Sequence, residues 1–131
     1  MSANPAPGFQ KYPDHQVAIT ATTDNVTIRI GDLAIARSNR TLSLRESRYP
    51  QAHYIPLEDV RTDLLTDSNT ETYCPFKGKA RYYNLNLDGR VVEDALWYYP
   101  EPYDECQALI GTVAFYADKV AIEISQDMPD E

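Results

Sequence analysis

The feature that most restricts the fold is a two-residue period. Apolar side chains recur at alternate positions in short runs: Val17, Ile19 and Ala21, then Val26, Ile28 and Ile30, then Leu33 and Ile35, then Leu42 and Leu44. Alternation of this kind puts one face of an extended segment in a core and the other in water. Turn signals at Asp24-Asn25, Gly31-Asp32 and Asn39-Arg40 separate the runs. The first four segments therefore predict an antiparallel meander. Downstream, a short extended piece is expected at Tyr54-Ile55 and a single helical turn after Pro56. Ala80 to Leu87 predicts a long strand closed by Asp88-Gly89, and Ala95 to Tyr99 the next. Asp104 to Leu109 predicts a short helix, and Thr112 to Tyr116 with Val120 to Ile124 a final hairpin. No stretch keeps a long helical period. The expected class is all-β, a compact antiparallel two-sheet roll or open barrel with at most one or two short helices.

A chain of 131 residues makes one domain. Residues 1–14 hold Pro5, Pro7, Gly8 and Pro13 and read as an extended arm, residues 15–126 as a single β domain, and residues 127–131 as an acidic tail. A formal charge of -8 argues against nucleic acid or an anionic membrane as partner. No apolar run is long enough to span a membrane, and Met1 to Gly8 lacks the pattern of a secretory signal. A cytoplasmic location is the expectation. Cys74 and Cys106 are too few for a disulfide scaffold and lack metal-ligand spacing, even with His15 and His53, so no metal or cofactor is expected.

Tyrosine is the unusual residue: ten stand against three Phe and one Trp. Tyr suits half-buried sheet, and it also suits a pocket with polar tips.

Three stretches carry chemistry. In Cys74-Pro75-Phe76-Lys77, Pro75 suits a tight turn that brings Lys77 near the Cys74 sulfur, where an ammonium favours the reactive thiolate. The plainer reading is a buried thiol at a strand entrance. Cys106, beside Asp104 and Glu105, reads as structural. Trp97 and Tyr99 lie two apart on one strand and share a face with Ala95, which would leave room above an aromatic floor. The plainer reading makes Trp97 a core anchor. Glu46 follows Leu42 and Leu44 on the inward face and needs a partner, for which Lys77 is the candidate; Tyr54 follows a short loop later. Arg45 and Arg48 read as solvated.

These stretches also carry a resemblance. Tyr73-Cys74-Pro75-Phe76-Lys77-Gly78 with Ala80 and Tyr82 is its most specific part. Ala95 to Pro102 and Ile110 to Tyr116 come next, with Ser38, Glu46, Tyr54-Ile55-Pro56 and Asp59-Val60. From about His15 to Val120 the chain resembles a bacterial family known as domain of unknown function 427, whose other name invokes nucleotidyltransferases. It departs from the family at Arg37, where an acid is frequent, and at Leu57, where an arginine is frequent. The second departure weakens the case for a phosphate or carboxylate ligand. The resemblance implies a β-tent kind of fold and no established reaction. The paired acids and Gly-Ser element needed for metal-assisted nucleotidyl transfer are absent from the sequence.

The expectation is a small-molecule-binding protein, with an enzyme as an open extension. Cys74, Lys77 and Glu46 would be its catalytic groups, and Tyr54, Trp97, Tyr99 and Tyr82 its ligand contacts. The rival is a non-catalytic interaction module, in which exposed Tyr49, Tyr98 and Tyr103 would form a partner or self-association patch, a homo-oligomer being one outcome.

Overall fold

A computed structural model of the chain describes residues 4–47 and 49–125. The tail and Arg48 lie outside the described residues. Ten strands form two antiparallel sheets. They are β1 (Val17–Ala21), β2 (Asn25–Ile30), β3 (Leu33–Ser38), β4 (Leu42–Glu46), β5 (Ala52–Pro56), β6 (Leu65–Cys74), β7 (Gly78–Leu87), β8 (Arg90–Tyr98), β9 (Thr112–Phe115) and β10 (Ala121–Ser125). Seven run in the order β1-β4-β5-β9-β8-β7-β6, and three in the order β10-β2-β3. The all-β roll expected from the period is what forms. Three 3-10 segments, Leu57–Asp59, Thr62–Leu64 and Asp104–Leu109, join strands. No helix among the described residues is long and apolar enough to cross a membrane.

Most strands were legible, but two pairings were not. The first four do not form a meander. β2 and β3 make a hairpin, while β1 pairs with β4 in the other sheet, with Val17 opposite Glu46. β9 and β10 do not form a hairpin either. β9 pairs with β5 and β8, and β10 crosses to β2. Alternation says which face of a strand is buried and nothing about which neighbour buries it. Leu65–Cys74, where no strand was expected, is a ten-residue strand. The N-terminal arm holds one turn of α-helix, Gly8–Lys11.

The large sheet has a core on each face. The first lies against the small sheet and is aliphatic: Val26, Ile28, Ile35, Ile55, Leu85, Leu96 and Val113 are its central members. The second, on the opposite face, gathers Leu44, Tyr54, Ala80, Tyr82, Tyr99, Cys106, Leu109 and Ala114, with Trp97, Tyr116 and Cys74 packed against it. Strand parity explains the division. On β9, Val113 and Phe115 enter the first core and Ala114 the second.

Ala95 is an exception to the expected parity. It packs in the first core, not beside Trp97 and Tyr99. The residue before it, Asp94, takes a positive φ of 49°, and the β7–β8 register shifts between Tyr83 and Leu85. Such an irregularity re-aims the side chains around it. Asp94 is tied there by its backbone N–H, which donates to Asn84 Oδ1 at 2.9 Å, and by the hydroxyls of Ser68 and Thr70. Those hydroxyls also hold its carboxyl below the usual carboxylate range.

Candidate functional site

The site starts from a turn. Cys74 pairs with Gly78, so Pro75, Phe76 and Lys77 form a three-residue loop at the tip of the β6–β7 hairpin. Gly78 takes a φ of +118°, and a Cβ there would sit 3.2 Å from the Glu101 carbonyl oxygen. Both facts favour glycine. The loop is fixed on its other side by the Tyr103 N–H donating to the Lys77 carbonyl at 3.0 Å.

The turn points Lys77 at Glu46, the last residue of β4. The Lys77 ammonium bonds Glu46 Oε1, and the two residues are 7 % and 8 % exposed. This contact requires the sheet to curl. β4 and β7 are four strand spacings apart, roughly 19 Å in a flat sheet, beyond the combined reach of the two side chains. The ion pair therefore bridges the two ends of the rolled sheet. A buried carboxylate needs such a partner, and this is the reason the inward parity of Glu46 was informative.

The second oxygen of Glu46 has a partner that sequence reasoning missed. His15 Nε2 lies 2.8 Å from Glu46 Oε2. The His15 ring stacks on Phe76, with centroids 3.8 Å apart and planes 16° from parallel. Phe9 meets the same ring edge-on at 5.0 Å. The arm is drawn close by Gly8, whose N–H donates to the Pro75 carbonyl at 3.0 Å. A Cβ at Gly8 would stand 2.7 Å from the Phe76 ring, so the approach needs a residue without one. His15 lies in a proline-rich stretch with no period, where pattern reading has no purchase. The available signal was a lone imidazole just before β1, the strand that pairs with the Glu46 strand.

Over Phe76 and His15 opens a groove of about 630 Å³, lined also by Lys11, Tyr12, Asp14, Ser47 and Tyr49. Of the trio, His15 reaches its wall, while Glu46 and Lys77 lie behind it.

The structure brings the other expected residues together differently. Tyr54, Tyr82, Trp97 and Tyr99 lie in or against the second core, packed on one another and on Tyr116, and none lines this groove. Trp97 Nε1 donates to the Tyr54 hydroxyl at 3.1 Å, with the rings edge-on. Trp97 and Tyr116 centroids lie 4.5 Å apart. Burial pushes the Tyr54 and Tyr99 hydroxyls well above the usual phenol range, and the Glu46 charge adds to this in both. Cys74 ends β6 half-buried against the same core, while the Lys77 ammonium turns to Glu46. Cys106 is fully buried, donates its thiol to the Phe76 carbonyl at 3.7 Å, and is pushed up to about 11 mainly by desolvation. That agrees with a structural thiol.

The three tyrosines of the interaction reading are dispersed. Tyr49 is 65 % exposed at the groove. Tyr103 bonds Tyr73 through their hydroxyls at 2.7 Å beside another recess. Tyr98 is not exposed as expected: it is half-buried and stacked on Tyr83 at 4.7 Å. Among the described residues no three His, Cys, Asp or Glu side chains converge as a metal-ligand set.

No curated protein matches the chain. The family model described as a domain of unknown function (DUF427) matches residues 18–126, which include Glu46 and the whole Cys74–Gly78 turn and stop three residues short of His15. On that match, the chain belongs to the DUF427 family.

Proposed function

We propose that this protein binds a small, flat organic molecule in the groove over Phe76, with His15 at its polar end and Glu46 and Lys77 backing His15. The observation that carries this reading is the position of His15. It is bonded to a buried charge pair on one side and exposed to the groove on the other. The Lys77 ammonium balances the charge of Glu46 on Oε1, and the imidazole satisfies Oε2. An imidazole that also reaches a recess links the buried charge to whatever sits there. The volume falls within the range of small-molecule sites, and aromatic walls with a few convergent polar groups are their usual lining. Trp97, Tyr99, Tyr54 and Tyr82 would then act as the rigid backing of the site. Cys74 would stand behind it as well.

The test is an NMR titration with 4-hydroxybenzamide, a neutral planar phenol. Saturable shifts at the Phe76, Ser47 and Tyr49 amides, reduced in Tyr12→Ala, are expected. The reading fails if a panel of such planar phenols and amides gives no saturable shift, or if the shifts fall elsewhere on the molecule.

A further inference from the structure

The hydrogen-bond directions around Glu46 fix which nitrogen of a neutral His15 ring carries the proton. Glu46 receives the Lys77 ammonium on Oε1 and so stands as a carboxylate, with acceptor sites and no proton to give. His15 Nε2, 2.8 Å from Oε2, is therefore the donor. In a neutral imidazole a proton on Nε2 leaves the lone pair on Nδ1. Nδ1 of His15 has no protein partner among the described residues, and it is not sealed away as His53 Nδ1 is. Stacking on Phe76 covers a face of the ring, not the edge where the lone pair points.

We infer that His15 is the proton acceptor of the groove, with Glu46 as the residue that fixes its tautomer and Lys77 as the residue that fixes Glu46. The inference rests on the groove being a ligand site. It narrows the ligand to a planar molecule presenting a weakly acidic O–H or N–H, such as a phenol or a protonated heteroaromatic nitrogen. In the transfer, the ligand O–H bond breaks and its electron pair stays on oxygen, while the proton joins the Nδ1 lone pair. The imidazolium so formed stands between the Glu46 carboxylate and the new ligand anion, and the resting trio already balances one carboxylate against one ammonium. This is a carboxylate-oriented base of the kind that acid–base chemistry requires, built from three separate stretches of chain.

Long-range proton–nitrogen NMR spectra of protein labelled with 15N in its imidazoles test this. Nitrogens bearing a proton and nitrogens bearing a lone pair resonate in separate regions. The chain has two histidines, and His53→Asn assigns the remaining signals to His15. At about pH 8, above the usual imidazole range, Nε2 is expected in the N–H region and Nδ1 in the lone-pair region. Adding 4-hydroxybenzamide is expected to move Nδ1 toward the N–H region. A proton on Nδ1 in the free protein would overturn the inference. So would an Nδ1 signal that stays fixed while the Phe76 and Ser47 amides move, a result that would leave the groove reading standing. A probe that moves no amide would instead overturn the groove reading, and the inference with it.

Discussion

The two cores of the molecule are built on opposite principles. The first, between the sheets, is aliphatic, with Val26, Ile35, Ile55, Leu85 and Leu96 essentially unexposed and no ionised residue among its members. The second, on the far face of the same large sheet, holds tyrosines, a tryptophan and two thiols, and its rim carries the Lys77–Glu46 pair. Hydrophobic burial needs no particular partner, so the first core can stabilise the fold with any well-packed apolar set. Each polar tip in the second core needs a named partner. The Trp97 indole has Tyr54, Glu46 has Lys77 and His15, and the Cys106 thiol has the Phe76 carbonyl. That core is less forgiving for the same gain in stability. A region built this way makes sense as the support of a site.

The largest effect that would sharpen the contrast is Lys77→Met. It leaves Glu46 buried beside a neutral side chain, and a loss of about 3–5 kcal/mol is expected in urea unfolding. Pairing it with Glu46→Leu removes both charges and should return most of that loss, because well-packed apolar replacements of buried pairs are often neutral. In the first core, Leu85→Ala should cost about 2–5 kcal/mol through lost burial and the cavity left behind, and no partner change can offset it. Recovery of Leu85→Ala by a single neighbouring substitution of opposite polarity would break the distinction between the cores.

Tyr54→Phe comes next. It removes the acceptor of the Trp97 indole without changing ring volume, and about 1–2 kcal/mol is expected. An unchanged midpoint would mean that the second core does not depend on its polar contacts.

The smallest effect is acid sensitivity at the rim of the first core. Asp59 precedes Val60, a member of that core, and accepts from Arg40 and from Ser38 at 2.6 Å. The Arg40 hydrogen bonds hold its carboxyl below the usual range, with Ser38 assisting. A depressed folded value means that this stabilisation is present above the unfolded carboxylate range, and it disappears as pH falls through the folded one. The urea midpoint should therefore decline on acidification, and Asp59→Asn should decline less steeply. Parallel curves would show that the contact contributes nothing, as exposed pairs often do.

The sequence exposed more of the strands than of their arrangement. Val17, Ile19, Leu42 and Leu44 were correctly read as inward because parity is a local property. That β1 and β4 are neighbours, with a hairpin between them sent to another sheet, is set by distant packing that no window contains. Ala95 was misplaced because a left-handed Asp94 breaks the count of two, and an aspartate gives little warning of that. At the site, the Glu46–Lys77 contact was legible because an inward carboxylate demands a cation. His15 was not, because nothing in a proline-rich arm says where it folds back. The open floor expected over Trp97 and Tyr99 depended on Ala95 being beside them, and the rings of Tyr54 and Tyr116 occupy that neighbourhood instead.

The central claim is that the charged trio serves the groove and not the stability of the roll. The Glu46→Leu, Lys77→Met double variant tests it most directly, followed by urea unfolding and by titration with 4-hydroxybenzamide on the same sample. A midpoint close to that of the unaltered protein, together with loss of the saturable shifts at Phe76 and Ser47, is the predicted result. A variant that keeps those shifts at full strength, or that unfolds as readily as Lys77→Met alone, would contradict the account.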